Sequence, residues 1–239
     1  MPLIETEALV VRTVEVGESD VVATVVTEQA GKVGLVVRGA RKGSRRIGGA
    51  LEPIHTVGIL FEDRGSELCT LKEARIVRLR TAITGDLDAL EAAGTALRWA
   101  RHLFPPRTVE PEGWAVLVGL LDALEEGATA RSAIPKAALA RAGLAMLAAV
   151  GYALEWDQCL VCGRPCPEGR PAYVDPARGG IICRSCGGAH TVVDADLRAA
   201  ASALSRGARG ESASLNEGQA RELMNLVDRA MAAHAGFER

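Results

Sequence analysis

Aromatic side chains are scarce: three Trp, two Tyr and three Phe among 239 residues, and Phe61 is the only one in the first eighty. That scarcity excludes a single-strand-binding surface built from a row of stacked bases. Cations are not in excess either, since the formal net charge is -2. A surface for nucleic acid must then be local rather than a property of the whole chain. No apolar run is long enough to span a bilayer; the most apolar one, 137–154, is interrupted by Arg141. Residues 1–10 carry Glu5 and Glu7 and lack a basic segment followed by an apolar stretch, so no secretory start is expected and the protein reads as soluble and cytoplasmic. A Gly-x-x-x-x-Gly-Lys-Ser/Thr phosphate loop is missing, which argues against P-loop nucleotide hydrolysis. The four histidines, His55, His102, His190 and His234, form no helical metal-binding pair and sit near no serine elbow. The sequence announces no catalytic constellation, and an enzyme is the weakest reading.

What the chain does have is a cysteine quartet. Cys159 with Cys162 and Cys183 with Cys186 are two Cys-x-x-Cys pairs separated by twenty residues. Each tight turn can direct two thiolates at one ion, and the second pair completes a tetrahedron of four sulfurs, the pattern of a structural zinc site. Four protein ligands leave no open position for substrate, so the zinc holds the fold and does no chemistry. A thioredoxin-like redox pair would need a single Cys-x-x-Cys at a helix start in a βαβ unit, and in a reducing compartment paired thiols favour metal over a disulfide. Cys166 lies four residues past Cys162 and reads as a spare thiol, because two symmetric pairs suffice. His190 would matter only as a substitute ligand. Cys69, in the alternating stretch Glu67-Leu68-Cys69-Thr70-Leu71, reads as a buried core thiol.

The length predicts two domains, and the pattern of apolar residues divides them at residue 80. Residues 1–80 contain five short runs rich in Val, Ile, Leu and Thr, at 5–14, 20–27, 32–38, 54–61 and 67–74, separated by turn signals. A flat sheet of that size would leave edges and one apolar face unprotected, so the expectation is a small closed barrel of the OB type. Gly31-Lys32-Val33-Gly34 matches the Gly-x-x-Gly of a KH loop, but it lies between strands and reads as a hairpin turn. In residues 81–239 the period becomes helical. Leu90, Ala93, Leu97, Ala100 and Phe104 mark one helix, ended by Pro105-Pro106. Trp114, Leu117, Leu121 and Leu124 mark a second, with Pro111 in its first turn. Further helices are expected at 135–150, 194–204 and 215–234, the last opened by a capping box of Ser214 and Glu217. The fold class is α+β: an OB-like barrel, then a helical domain with a four-cysteine zinc-binding loop, about 156–190, inserted in it. That loop is expected to lack an apolar core of its own.

The second feature with functional content is the segment 38–46, where Arg38, Arg41, Lys42, Arg45 and Arg46 are spaced by small residues after a predicted strand. Such a run either contacts a phosphate backbone, releasing counterions, or is a solvated loop. Placed on an OB barrel, nucleic-acid contact is favoured. With few aromatics, binding there would be mostly electrostatic and weakly selective for sequence.

Taken in order, Glu28-Gln29-Ala30-Gly31-Lys32, Val37-Arg38-Gly39-Ala40-Arg41-Lys42, Gly151-Tyr152, Cys159-Leu160-Val161-Cys162-Gly163, Tyr173 and Gly179-Gly180-Ile181-Ile182-Cys183-Arg184-Ser185-Cys186 resemble the bacterial recombination and repair mediator family RecO. The likeness covers nearly the whole chain. It implies a non-enzymatic, nucleoid-associated protein that binds single- and double-stranded DNA through the barrel and anneals complementary strands. It also implies partnership with RecR and with single-stranded-DNA-binding protein, so that RecA is loaded onto coated single strands. The residues alone leave two other classes open: a zinc-ribbon transcription or translation accessory factor, separated by its lack of strand annealing, and a scaffold, separated by its lack of salt-dependent DNA affinity.

Overall fold

The computed structural model describes residues 2–40, 51–130, 135–207 and 214–235. Strands β1 (Leu3–Val16), β2 (Asp20–Thr27), β3 (Gly31–Val37), β4 (Thr56–Glu62) and β5 (Leu68–Arg78) form a closed barrel in the order β1-β2-β3-β5-β4. Every neighbouring pair is antiparallel except β3 and β5, which run parallel with Leu35 opposite Cys69. The period of two sends alternate residues inward. Ala8, Val10, Ala23, Val25, Val33, Leu35, Val37, Val57, Ile59 and Phe61 fill the interior, and Cys69 lies among them as the alternation predicts. Closure leaves no unpaired edge, the reason five short strands can stand together.

β1 carries one irregularity. Val10 pairs with Val25, but the next paired residue is Arg12, opposite Thr24, so Val11 is a bulge. The extra residue reverses the alternation and brings Arg12 to the outer face.

A single turn (Ala82–Gly85) leads into α1 (Leu87–Leu103), and α2 (Pro111–Ala130) follows. Asp86 caps α1 by accepting from the Ala89 amide at 2.9 Å. The helix stops where Pro105 and Pro106 cannot continue it. α1 packs on the outer side of β1 and β2, where Leu9 and Val26 are buried although they point away from the barrel interior. Arg80, 1% exposed, ties the barrel to α2: it donates to Asp122 from Nε (2.9 Å) and Nη2 (2.7 Å), and to the Ile54 carbonyl (2.7 Å) and Thr56 Oγ1 (3.1 Å) from Nη1. Glu125 on α2 accepts the amides of Thr81, Ala82 and Ile83, taking up donors that open the single turn.

By packing, residues 1–132 and 133–239 are two compact units. α1 and α2 therefore group with the barrel, whereas residue 80 marks the change from strand to helix. The second unit contains α3 (Pro135–Ala149), a small sheet of β6 (Ala172–Asp175), β7 (Gly180–Ile181) and β8 (Thr191–Val193) in the order β7-β6-β8, then α4 (Ala195–Ser205) and α5 (Glu217–Ala235). α3 packs against α5 and α4. Asp194 caps α4 at the Leu197 amide, 2.7 Å away. The cap of α5 differs from the sequence expectation. Asn216 Oδ1 accepts from the Gln219 amide (2.9 Å) while Gln219 Oε1 accepts from the Asn216 amide (3.1 Å), so the reciprocal box is Asn216 with Gln219, not Ser214 with Glu217. The inserted cysteine loop also differs, because it is not poor in buried apolar residues. Trp156, Ala172, Val174, Ile181 and Ile182 are all nearly inaccessible to solvent. Among the described residues no helix is long and apolar enough to cross a membrane.

Candidate metal centre and nucleic-acid interface

The four cysteines stand on two turns held face to face. In the first, the Gly163 amide donates to the Cys159 carbonyl at 2.9 Å; in the second, the Cys186 and Gly188 amides donate to the Cys183 carbonyl at 2.9 and 3.1 Å. The Leu160 amide donates to the Ile181 carbonyl at 2.9 Å, which fixes the first turn against β7 just before the second pair begins. Gly180 makes this approach possible. Its φ of +149° suits glycine, and a Cβ there would lie 2.5 Å from the Glu155 carbonyl oxygen and 2.8 Å from its nitrogen. The Gly-Gly before Cys183 is thus a point of backbone contact between the two halves of the loop.

The sulfurs of Cys159, Cys162, Cys183 and Cys186 all lie within 4.8 Å of one another, and those of Cys162 and Cys183 are 3.8 Å apart. A tetrahedron whose centre is ~2.3 Å from each sulfur has edges of about 3.8 Å, so the quartet fits a thiolate-bound ion. Cys166 and His190 stand outside the cluster. The backbone of Cys166 is engaged elsewhere, its amide donating to the Asp157 carbonyl at 2.7 Å.

The electrostatics agree with that geometry. The Cys159 thiol is lowered to about 6, chiefly by the Cys183 amide, 3.3 Å from its sulfur, and then by the Cys162 amide. Cys183 is lowered by the Ser185 hydroxyl and the Cys186 thiol. Cys186 is instead pushed up to about 12 by the sulfurs of Cys183 and Cys162 beside it. Negative sulfurs this close cannot all ionise without a cation between them. The cluster can hold a metal ion, and with four soft protein ligands it is closed to substrate.

Sequence reasoning missed the support beneath this loop. Arg198, 5% exposed on α4, donates from Nη1 to the Trp156 (3.1 Å) and Cys166 (3.4 Å) carbonyls and from Nη2 to the Pro167 carbonyl (2.7 Å). Trp156 Nε1 donates to Ser205 Oγ at 3.1 Å, and Ser202 Oγ donates to Asp157 at 2.8 Å. The available signal was positional: Arg198 lies beside Leu197 and Ala201 on the buried side of α4, next to a loop whose carbonyls need donors.

On the barrel, Arg38 follows the end of β3 and is exposed, and the Gly39 amide donates to Asp20 Oδ1 at 2.9 Å. Arg41, Lys42, Arg45 and Arg46 lie outside the described residues. At the other end of β3, Gly31 has φ +67° and touches the Thr108 backbone, so no side chain fits there. Lys32 pairs with the same segment: its carbonyl accepts the Arg107 amide at 2.9 Å and its ammonium donates to the Arg101 carbonyl at 2.5 Å. Gly31-Lys32-Val33-Gly34 is therefore not the hairpin turn that the sequence suggests: all four residues pair with β2 as the first part of β3, the turn is 28–30, and Gly31 and Lys32 dock the chain that joins α1 to α2.

Family comparison matches both the barrel and the helical part of the chain. The profile described as recombination protein O N terminal matches residues 1–80, and the one described as recombination protein O C terminal matches residues 84–239. The chain belongs to the RecO family. It is 35% identical over 237 residues to the DNA repair protein RecO of Myxococcus xanthus (strain DK1622), covering 96% of this chain and 91% of that protein. With the DNA repair protein RecO of Anaeromyxobacter sp. (strain Fw109-5) the identity is 35% over 235 residues, 95% and 90% of the two chains. With that of Anaeromyxobacter sp. (strain K) it is 38% over 188 residues, 78% and 71%. The cysteine quartet and the Gly-Ala-Arg-Lys run thus point to the family that the whole chain matches.

Proposed function

We propose that the protein is a mediator of DNA repair and homologous recombination that binds single- and double-stranded DNA, anneals complementary strands and, with RecR, helps load RecA onto strands coated by single-stranded-DNA-binding protein. The observation that carries this reading is the family match across both the barrel and the helical region, with relatives named as DNA repair proteins. Residues 1–80 are the DNA-binding domain, and Arg38, Arg41, Lys42, Arg45 and Arg46 contact phosphates. Residues 81–239 are the helical domain, and one structural zinc sits on Cys159, Cys162, Cys183 and Cys186. The role is one of binding rather than catalysis, exercised in the cytoplasm at the nucleoid.

The physical step is charge neutralisation. Two single strands repel through their phosphates, and cations on a barrel poor in aromatics reduce that repulsion without holding the bases in stacks. Bases left free can pair with a second strand. The test is a time course of annealing between complementary strands coated with single-stranded-DNA-binding protein, with ATP omitted. The expected result is a rate well above the spontaneous one; a rate no better than spontaneous, despite DNA binding, would count against a mediator and for a scaffold or transcription factor.

A further inference from the structure

Five basic side chains from β1, β3 and α1 converge on the outer face of the barrel unit. The bulge at Val11 brings Arg12 to the outside of β1, opposite Thr24 of β2. Thr24 in turn pairs with Gly34 of β3, and Lys32 lies two residues along the same face. α1 packs on this side of the sheet, and its residues Arg98, Arg101 and His102, at spacings of three and four, share one helical face. Contacts link the two layers: Lys32 Nζ donates to the Arg101 carbonyl at 2.5 Å, and Arg101 Nη2 donates to His102 Nε2 at 2.7 Å.

Six other described cations of this unit are matched with carboxylates, and Arg38 is not among them. Arg64 and Lys72 pair with Glu62, Arg75 with Glu5, Arg78 and Arg80 with Asp122, and Arg107 with Asp63. Among the described residues, no ion pair is made by Arg12, Lys32, Arg98 or Arg101. The crowding is felt electrostatically. His102 is held below the ordinary histidine range by burial and then by Arg101, Lys32, Arg98 and Arg12, and Lys32 is lowered by burial and then by Arg101. Gathering like charges around a half-buried ammonium and imidazole opposes stability in the free protein, and a polyanion laid across them reverses the sign of that interaction.

We propose that Arg12, Lys32, Arg98, Arg101 and His102 form a second phosphate-binding surface, distinct from segment 38–46, that carries a DNA strand along the outer face of β3 and over the end of α1. This rests on the DNA-binding reading above. A nucleic-acid backbone is favoured over an acidic peptide because β3 leads from this surface to Arg38, which is exposed just past the strand's end. Lys32 lies near the start of β3 and Arg38 one residue past its end, a span of ~20 Å for extended chain, which a nucleic acid strand crosses with several phosphates. Three of the five groups are arginines, whose planar forks match phosphate oxygens in pairs.

The test is fluorescence anisotropy of labelled oligo(dT) with the full chain across a salt series, comparing the parent with Arg12→Gln/Arg98→Gln/Arg101→Gln. Lys32 is left in place because it holds the backbone of α1. Binding is expected to weaken at least ~10-fold, and the slope of log affinity against log salt to flatten by roughly 0.7 for each phosphate no longer neutralised. Unchanged affinity and slope in the folded variant overturn this surface while leaving the DNA reading intact; a parent that binds no DNA overturns both. Should the variant fail to fold, photo-crosslinking of the parent to an iododeoxyuridine oligonucleotide decides the matter. Crosslinked peptides containing residues 98–102 or Arg12 support the surface, and crosslinks confined to other segments overturn it. An oligoglutamate peptide that loses affinity for the variant while DNA does not would assign the patch to an acidic protein partner and overturn it equally.

Discussion

At Gly180 a single hydrogen atom decides whether the two halves of the cysteine loop can meet. The Glu155 backbone occupies the space a methyl group would need, and β7 lies at the contact, two residues before Cys183. Relief would require Ile181 and the second cysteine turn to move together, since the Ile181 amide donates back to the Glu155 carbonyl at 3.1 Å. Gly180→Ala is therefore expected to cost ~2 kcal/mol or more in unfolding free energy, through strain at a positive φ and separation of the two backbones. Chemical denaturation of metal-loaded protein measures it; an unchanged midpoint would contradict the close approach. The Gly-Gly pair is legible in the sequence as part of a motif. Its physical reason is not, because the partner backbone lies twenty-five residues earlier. Arg198 was hidden for a related reason: nothing in a helical period marks a buried arginine, and only the carbonyls of Trp156, Cys166 and Pro167 explain it.

Among elements, the inserted loop shows how the cysteine cluster and apolar packing share one task. Its three strands are of four, two and three residues, too short to order themselves. Trp156, Val174 and Ile181 nevertheless bury apolar surface, and Arg198 and Asp157 tie the loop to α4. Removing the metal should then loosen the cysteine turns first, while α3, α4 and α5 keep their mutual packing. The purified protein is expected to carry one zinc per chain, and Cys162→Ala or Cys186→Ala to lose it with a stability loss of about 4 kcal/mol or more. Metal analysis alongside thermal unfolding checks this; no zinc in a stable protein whose thiols are all free would refute it. Both cysteine pairs and the five strands were readable from spacing and alternation, which are local signals. The start of α5 was not, because Ser214-x-x-Glu217 and Asn216-x-x-Gln219 both satisfy the capping pattern. The hydrogen bond from the Ala220 amide to the Asn216 carbonyl decides between them.

For the molecule as a whole, the barrel was legible and the grouping of helices was not. Alternating apolar residues identify strands, and closure follows from the need to cover edges. The attachment of α2 to the barrel runs instead through Arg80, Asp122 and Glu125, polar residues some forty positions apart that no period connects. The same scale governs the proposed DNA binding, because a chain of net charge -2 can attract a polyanion only where its cations are gathered. The measurement that bears most directly on this account is the binding of labelled single-stranded DNA over a series of salt concentrations, for the parent and for a variant with Arg38, Arg41, Lys42, Arg45 and Arg46 neutralised. The predicted result is steep salt dependence in the parent. In the variant, binding should weaken about equally for unrelated sequences and the slope should flatten by roughly 0.7 for each phosphate no longer neutralised. A variant that binds as tightly as the parent with the same slope, or a parent whose affinity ignores salt, would contradict it.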